Sequence, residues 1–359
     1  MTERRADKDA VSRRRVLKGT AALGLTLCAA PRANAAPEPI VITPALTDAA
    51  RREGKIVWYA ALDLPISEAI ARAFETKFPG IACRVERSGA ERIFQRIGQE
   101  QASGIHAVDA VESADAAHFI RWKREGWLAS AVPEDVARYF PPEHKDPDGQ
   151  FATWRIWFNL IGYNTKLVKA EDAPQSYADL LDPKWAGKIV KAHPGYSGAT
   201  LTATFEIVRE LGWPYFEKLA KQRVMQVQSS NDSPKKVALG ERAVMADGNE
   251  HALFRLKESG QPIEAIYPRE GTPLVTGPVG LFKSAPNPNA ARLFCAWMFT
   301  AEAQQLLVDK GALRSAHPHV KERPGRKTLD EIRAMKDDPA GVEAQGDAIK
   351  ARYAALFRV

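Results

Sequence analysis

Lys55-Ile56-Val57-Trp58-Tyr59-Ala60, then Pro65 ahead of Ile66, Ile70, Ala73, Phe74 and Phe78, then Ile81, Cys83 and Val85: the alternation of these runs decides the fold class. The first run is rich in β-branched and aromatic residues, which suit a pleated strand. Behind Pro65 the apolar residues recur every three or four positions, one face of a helix, and Pro79-Gly80 stops it. Ile81, Cys83 and Val85 alternate with Ala82, Arg84 and Glu86, the period of a strand. Working outward, Ser88-Gly89 reads as a turn, and Ile93, Phe94 and Ile97 mark a second helix. Val108-Asp109-Ala110-Val111 is a third strand, and a helix follows over about 115–124. This β-α-β-α-β-α order predicts a mostly parallel sheet flanked by helices.

A long β-type run comes next, with Trp154, Ile156, Phe158 and Leu160 on one face and Trp157 and Ile161 between. A second α/β set opens near Gly162. Lys188-Ile189-Val190-Lys191 is a strand, and Ser197-Gly198-Ala199-Thr200 leads into a helix. Residues 242–246 form a strand before a helix over 249–258, and 264–267 and 278–282 are further strands. Asn287-Pro288 has the character of an N-cap and first turn, opening a helix with Leu293, Phe294, Trp297 and Met298. The Lys/Arg/Pro-rich segment 321–327 reads as a surface linker before C-terminal helices.

The N-terminus points to export. Ser12-Arg13-Arg14-Arg15-Val16-Leu17-Lys18 matches a twin-arginine export motif, the uncharged stretch 19–30 follows, and Ala33-Asn34-Ala35 supplies a small-x-small cleavage site. Twelve residues are too few to span a bilayer, which takes about 20. A lipoprotein cysteine at Cys28 is the weaker alternative, because Leu27 stands where a small residue is wanted. With cleavage after Ala35, five of the chain's seven net positive charges leave with the leader, which carries eight Lys/Arg against three acids. The basic composition is therefore no argument for a nucleic-acid partner, and no basic stripe interleaved with aromatics occurs. The remaining 324 residues exceed what one core usually serves, so two lobes are expected. Cys83 and Cys295 sit in no CxxC or Cys/His cluster and read as buried free thiols rather than a disulfide.

Several segments in order carry a family resemblance. They are Gly54-Lys55-Ile56-Val57-Trp58-Tyr59, Val108-Asp109-Ala110-Val111-Glu112-Ser113, Tyr177-Ala178-Asp179-Leu180-Leu181-Asp182-Pro183-Lys184-Trp185 with Gly187-Lys188-Ile189, and Asn287-Pro288-Asn289-Ala290-Ala291. From about 55 to about 315 the chain resembles the periplasmic solute-binding proteins of ABC importers, type 2 fold, nearest the ferric-ion-binding branch. The resemblance implies an α/β fold of two lobes joined by a hinge of two extended strands, with the ligand in the interlobe cleft. The lobes are placed at 36–160 with 268–315 and at 161–267, ahead of a helical tail, 316–359, of open lobe assignment. Within the family frame Asp63 falls where ferric binders often carry a metal-ligating histidine, and Asp115 lies beside their glutamate ligand. Ser197-Gly198-Ala199 matches the turn that holds an anion. Glu250-His251 falls where those proteins have an adjacent tyrosine pair, and no such pair exists in this chain. Phenolate oxygens suit Fe(III), so the departure weakens an iron assignment, while Asp63, Glu250 and His251 stand as a metal-binding candidate set.

Each candidate has a structural reading beside the functional one. Ser197, Gly198, Ala199 and Thr200 open a helix whose free N–H groups attract an anion, and Ser197 is equally an ordinary N-cap. Ser88, Gly89 and Ser113 offer hydroxyl and backbone groups at strand ends, where turn chemistry also favours them. Asn249, Glu250 and His251 begin a helix, a place acidic residues favour through the dipole alone. Tyr267 and Glu270 flank a return to the first lobe, either against the ligand or as a hinge turn. His193 precedes Pro194 beside the anion turn. Trp154 and Trp157 read as packing, and His118 as core or surface. The chain contains no GxSxG, HExxH or P-loop.

The expected function is a monomeric periplasmic receptor that delivers a small polar ligand to an inner-membrane ABC permease. The ligand is a metal, iron(III) with an anion or a divalent ion, or a small organic anion such as a phosphate ester, phosphonate or carboxylate. No resident cofactor is expected; a metal ion or anion would be cargo. A sensory subunit, or an enzyme on the same bilobal fold, is the alternative.

Overall fold

A computed structural model describes residues 37–359. The signal-peptide expectation, 1–35, lies outside the described residues. After β1 (Pro39–Ile40) and α1 (Pro44–Glu53), the quoted stretch folds as read: β2 (Lys55–Ala60), α2 (Leu64–Lys77), β3 (Ala82–Arg87), α3 (Ala90–Ala102), β4 (Ala110–Glu112) and α4 (Ala117–Arg124). Ile66, Ile70 and Phe74 form the buried stripe of α2, as their spacing requires. Gly80, at φ +92°, supplies the left-handed turn that sends the chain back into β3.

Short β5 (Val132–Pro133) and α5 (Glu134–Tyr139) precede the long strand β6 (Phe151–Asn164). The second α/β set is β7 (Ile189–Ala192), α6 (Gly198–Leu211), α7 (Trp213–Ala220), β8 (Met225–Val227), α8 (Asp232–Ala238), β9 (Val244–Asn249), α9 (Glu250–Glu258) and β10 (Ile263–Ile266). The chain closes with β11 (Leu274–Leu281), α10 (Pro288–Met298), α11 (Ala301–Gly311) and α12 (Pro339–Phe357).

The strands join in the order β3-β2-β4-β11-β6-β9-β7-β8, with β10 also on β6. Each outer part is parallel: β2 pairs with β3 and β4, and β7 with β8 and β9. The middle is antiparallel, β11 against both β4 and β6, and β6 against β9. The expectation of a mostly parallel sheet therefore holds within each lobe and fails at the join. There β6 pairs with β11 over residues 151–158 and with β9 and β10 over 159–164. One strand thus contributes to two cores: Trp154 packs with Trp58, Phe74, Phe294 and Trp297, whereas Ile161 and Tyr163 pack with Tyr177, Ile189, Phe216 and Tyr353.

Cys83 and Cys295 are both buried and free. The tail is one long helix rather than several: α12 packs on α6 and α7 of the second lobe and on α4 of the first. No helix of the described residues is long and apolar enough to cross a membrane.

Candidate functional site

In open α/β sheets the turns at the carboxyl ends of parallel strands gather on one side. Here the turns after β2, β3, β7, β8 and β9 enclose a cavity of about 160 Å³. Its wall includes Leu62, Arg87, Gly89, Ala90 and Arg92 from the first lobe and Ser197, Gly198, Ala199, Asn231, Asn249 and His251 from the second. Arg155 and Trp157 of β6 form its floor. The chain is closed over it. Arg92 donates to Gln228 across the gap at 3.1 Å, and Asp63 accepts from Asn231 at 2.6 Å and pairs with Arg255. An outer chamber of about 650 Å³, lined by Leu64, Lys235 and Arg255, shares Arg87 and Asn231 with the inner one.

Three helices of eight residues or more begin at this cavity: α3 behind Gly89, α6 behind Ser197 and α9 behind Asn249. A helix start exposes N–H groups and carries roughly half a positive charge. Ser197 caps α6 by accepting from the Thr200 N–H at 3.3 Å, which leaves the Gly198 and Ala199 N–H groups free for another acceptor. The charged side chains on the wall are Arg87, Arg92, Arg155 and Asp232, and Asp232 is paired with Lys235. The field in the cavity is therefore positive.

Arg155 is 2 % exposed. Its Nε and Nη2 donate to Glu112 Oε1 at 2.8 and 2.5 Å, while Glu112 Oε2 accepts from the Ala61 and Leu62 N–H groups at 2.9 and 3.0 Å. The guanidinium lies 4.3 Å from the Trp157 ring centre. Gly277 on β11 makes room for it, since a Cβ there would meet Arg155 Cγ at 2.8 Å. Trp157 Nε1 donates to Asn249 Oδ1 at 3.0 Å, and Asn249 Nδ2 to Asn231 Oδ1 at 2.6 Å. His251 is 1 % exposed, and neither ring nitrogen has a partner among the described residues. Burial, then Arg255, Arg155 and Arg326, push its pKa well down, so the imidazole is neutral.

Of the residues singled out in the sequence, Gly89, Ser197, Gly198, Ala199, Asn249 and His251 meet at the inner cavity, and Asp63 lies at its mouth. The others do not line it. Ser88 lies off the wall, its N–H bonded to Ala60. Thr200 sits behind Ser197, bonded to its hydroxyl at 3.0 Å. His193 braces its own turn by accepting from Gly195 at 2.9 Å. Glu270 accepts from the Ala178 N–H at 3.1 Å. Tyr267 donates to Glu250 at 2.6 Å.

Glu250 itself is sealed. Arg314 reaches its two oxygens at 2.7 and 3.0 Å and Arg326 pairs with it at 2.8 Å. Burial alone would raise its carboxyl pKa, but the two arginines outweigh that and hold it low. Asp63 is likewise bound to Arg255. The structure therefore does not assemble Asp63, Glu250 and His251 as a metal set. Among the described residues one group of three ligand-type side chains comes together, Glu91, Asp115 and His118, with ligand atoms within 4.8 Å of one another. It lies on a separate cavity of about 630 Å³ beside α12, where Lys350 already pairs with Glu91 at 2.8 Å. Ser113 belongs there too, at 2.9 Å from His118 Nδ1.

Sequence reasoning passed over Arg87, Arg92, Arg155 and the Gln228–Asp232 turn, and assigned Trp157 to packing. Arg155 did carry a signal: it is a lone charge inside Trp154-x-Ile156-Trp157-Phe158, and a charge in a buried strand needs a partner.

Two lobes on a shared pair of crossing strands, closed around a small polar cavity at their strand ends, define a ligand-binding protein of the bilobal type. The chain belongs to the bacterial extracellular solute-binding protein family, which it matches over residues 111–328, more than half its length. A Synechocystis relative named iron uptake protein A1 is 22% identical over 284 residues, covering 75% of this chain and 77% of its own. Among solved structures, the periplasmic binding protein AfuA of Actinobacillus pleuropneumoniae, with exogenous fructose-6-phosphate bound, superposes with a TM-score of 0.78 at 23% identity. The match covers 85% of this chain and 99% of AfuA. Iron-bound HitA of Pseudomonas aeruginosa gives 0.72 at 24% identity, covering 85% and 98%.

Proposed function

We propose that this chain is the periplasmic receptor of an ABC importer and that its cargo is a small organic anion, a phosphate ester, phosphonate or carboxylate. The observation that carries this reading is the convergence of the α3, α6 and α9 N-termini with Arg87, Arg92 and Arg155 on one small cavity. The helix dipoles and the three wall arginines favour an anion, and the one opposing wall charge, Asp232, is paired with Lys235. A bare cation would meet that field with one wall carboxylate, Asp232, already paired, and with a single phenol, Tyr196, on the wall. The role is binding and release: β6 and β11 act as the hinge between lobes at 36–160 with 268–315 and at 161–267, and the ligand stabilises the closed form by touching both. Delivery to a membrane permease and export by the twin-arginine route, as a monomer, belong to the same proposal.

A thermal-shift screen of phosphate esters, phosphonates, carboxylates and metal salts tests it, because a ligand that binds the native state raises the melting temperature. The reading requires stabilisation by members of the anion classes. Stabilisation by ferric or divalent salts in the absence of any such anion, and by nothing else, contradicts it.

A further inference from the structure

The inner cavity's buried polar side chains form a nearly closed account. Asn249 is bonded to Trp157 and Asn231, and Ser197 lies 3.2 Å from Ser230, its hydroxyl also accepting from Thr200. Arg155 is held by Glu112. His251 stands apart: it lines the cavity, is 1 % exposed, and neither Nδ1 nor Nε2 is bonded among the described residues. Buried polar atoms in native proteins are nearly always satisfied, and each one left bare costs about 1–3 kcal/mol. The partner His251 lacks within the protein is supplied from the cavity.

The chemistry of that partner follows from the charge of the ring. Burial first, then Arg255 and Arg155, disfavour a proton on it, so His251 is neutral, with one N–H donor and one lone-pair acceptor. An anionic oxygen satisfies the donor only. The lone pair needs a donor, and an ammonium group is excluded by the same arginines. A polyol supplies both, one hydroxyl donating to the bare nitrogen and a second accepting from the N–H. Resting on the anion reading of the same cleft, we infer that the cargo is a hydroxylated organic anion and that His251 is the residue that recognises its hydroxyls. The anionic end lies against the free N–H groups of Gly198 and Ala199. The inner volume is about 160 Å³. A short hydroxylated skeleton fills it, and a longer one extends into the outer chamber past Arg87.

The test is calorimetric titration with two pairs of probes, each matched in carbon number and differing in hydroxyls: glycerol 3-phosphate against propyl phosphate, and glycerate against propionate. The wild-type chain binds the hydroxylated member on the order of 10–100-fold more tightly, the fold-change that one to two unsatisfied polar atoms produce. His251→Leu erases that preference, read as the ratio of the two affinities within each pair. His251→Gln, which keeps a donor and an acceptor, restores part of it. Glycerate affinity does not climb as pH falls from about 8 to about 6.5, because burial and the neighbouring arginines keep the ring neutral across the ordinary histidine range.

Equal affinities within both pairs for the wild type overturn the inference and leave the anion reading standing. A preference that survives in His251→Leu overturns it as well. So does a glycerate affinity that climbs as pH falls, which means the ring gains a proton on binding and needs no hydroxyl. Failure of all four probes and of inorganic phosphate to bind overturns the anion reading, and this inference with it.

Discussion

Glu112 holds Arg155 through a single oxygen, Oε1, and spends the other on the Ala61 and Leu62 N–H groups. One carboxylate at the end of β4 thereby fixes a guanidinium on the crossing strand β6 and the turn that leaves β2. Both side chains are almost wholly buried. Removing one member of such a pair leaves an uncompensated charge and costs about 3–5 kcal/mol. Arg155→Met is expected to destabilise the chain by that order in urea denaturation and to abolish binding of anionic cargo. Arg155→Lys keeps the charge but reaches Glu112 with one point donor, so it should retain more stability than binding. Full anion affinity in Arg155→Met would remove Arg155 from the site.

Gly198 lies where the backbone of the second lobe packs tightly on the first. A Cβ at this position would lie 2.7 Å from Asp115 Cβ and 3.3 Å from Ala90 Cβ, both in the first lobe. These are rigid neighbours, so Gly198→Ala should prop the cleft open. Its place in the first turn of α6 accepts alanine without backbone strain. The expected signature is an affinity loss of about tenfold or more, roughly 1.4 kcal/mol, with the denaturation midpoint little changed. An unchanged affinity would show that the closed contact is not needed for binding.

Asp337, just before α12, accepts from the Thr276 hydroxyl of β11 at 2.7 Å. Burial raises its pKa from 3.8 to about 6; the Thr276 bond opposes the shift and Asp115 adds to it. An acid with a raised folded pKa binds its proton more tightly when folded. Its stabilising share is therefore present below about pH 4 and lost as pH rises to about 6, a change on the order of 3 kcal/mol. Asp337→Asn keeps an oxygen for Thr276 and carries no charge. It should be more stable than wild type at neutral pH, and the gap should close near pH 4. A gap that is constant across this window in pH-dependent melting would refute the assignment.

How much was legible in the sequence depends on whether a signal was local. The β-α alternation and the helix starts at Ser197 and Asn249 were, because periodicity and caps are written within a few residues. Gly89, Ser197, Gly198, Ala199, Asn249 and His251 were legible for the same reason: they sit at strand-to-helix turns. Glu250 misled because its partners, Arg314 and Arg326, lie over sixty residues away, and no local feature shows that its charge is already spent. Arg155 and Glu112 are forty-three positions apart and are joined only by the register of β4, β11 and β6. The tail gave even less, for the burial of α12 is divided among three other helices.

That division yields the last expectation. Val342 and Ile349 of α12 pack with Ala117 of α4 and with Leu201 and Phe205 of α6, so one helix face bridges the lobes. Lys350 adds an ion pair to Glu91 in the first turn of α3, within a group that includes His118 and Asp115. Helices α3 and α6 are two of those whose N-termini face the cargo. If they separate when the cleft opens, α12 cannot keep both sets of contacts, and it therefore favours the closed form. Lys350→Met retains the apolar stem and removes the charge. The variant should show a larger radius of gyration than wild type in small-angle scattering without ligand. It should also bind cargo about fivefold more weakly, corresponding to about 1 kcal/mol of lost bias. Superimposable scattering curves, together with equal affinities, would mean that the pair is a surface contact with no share in closure.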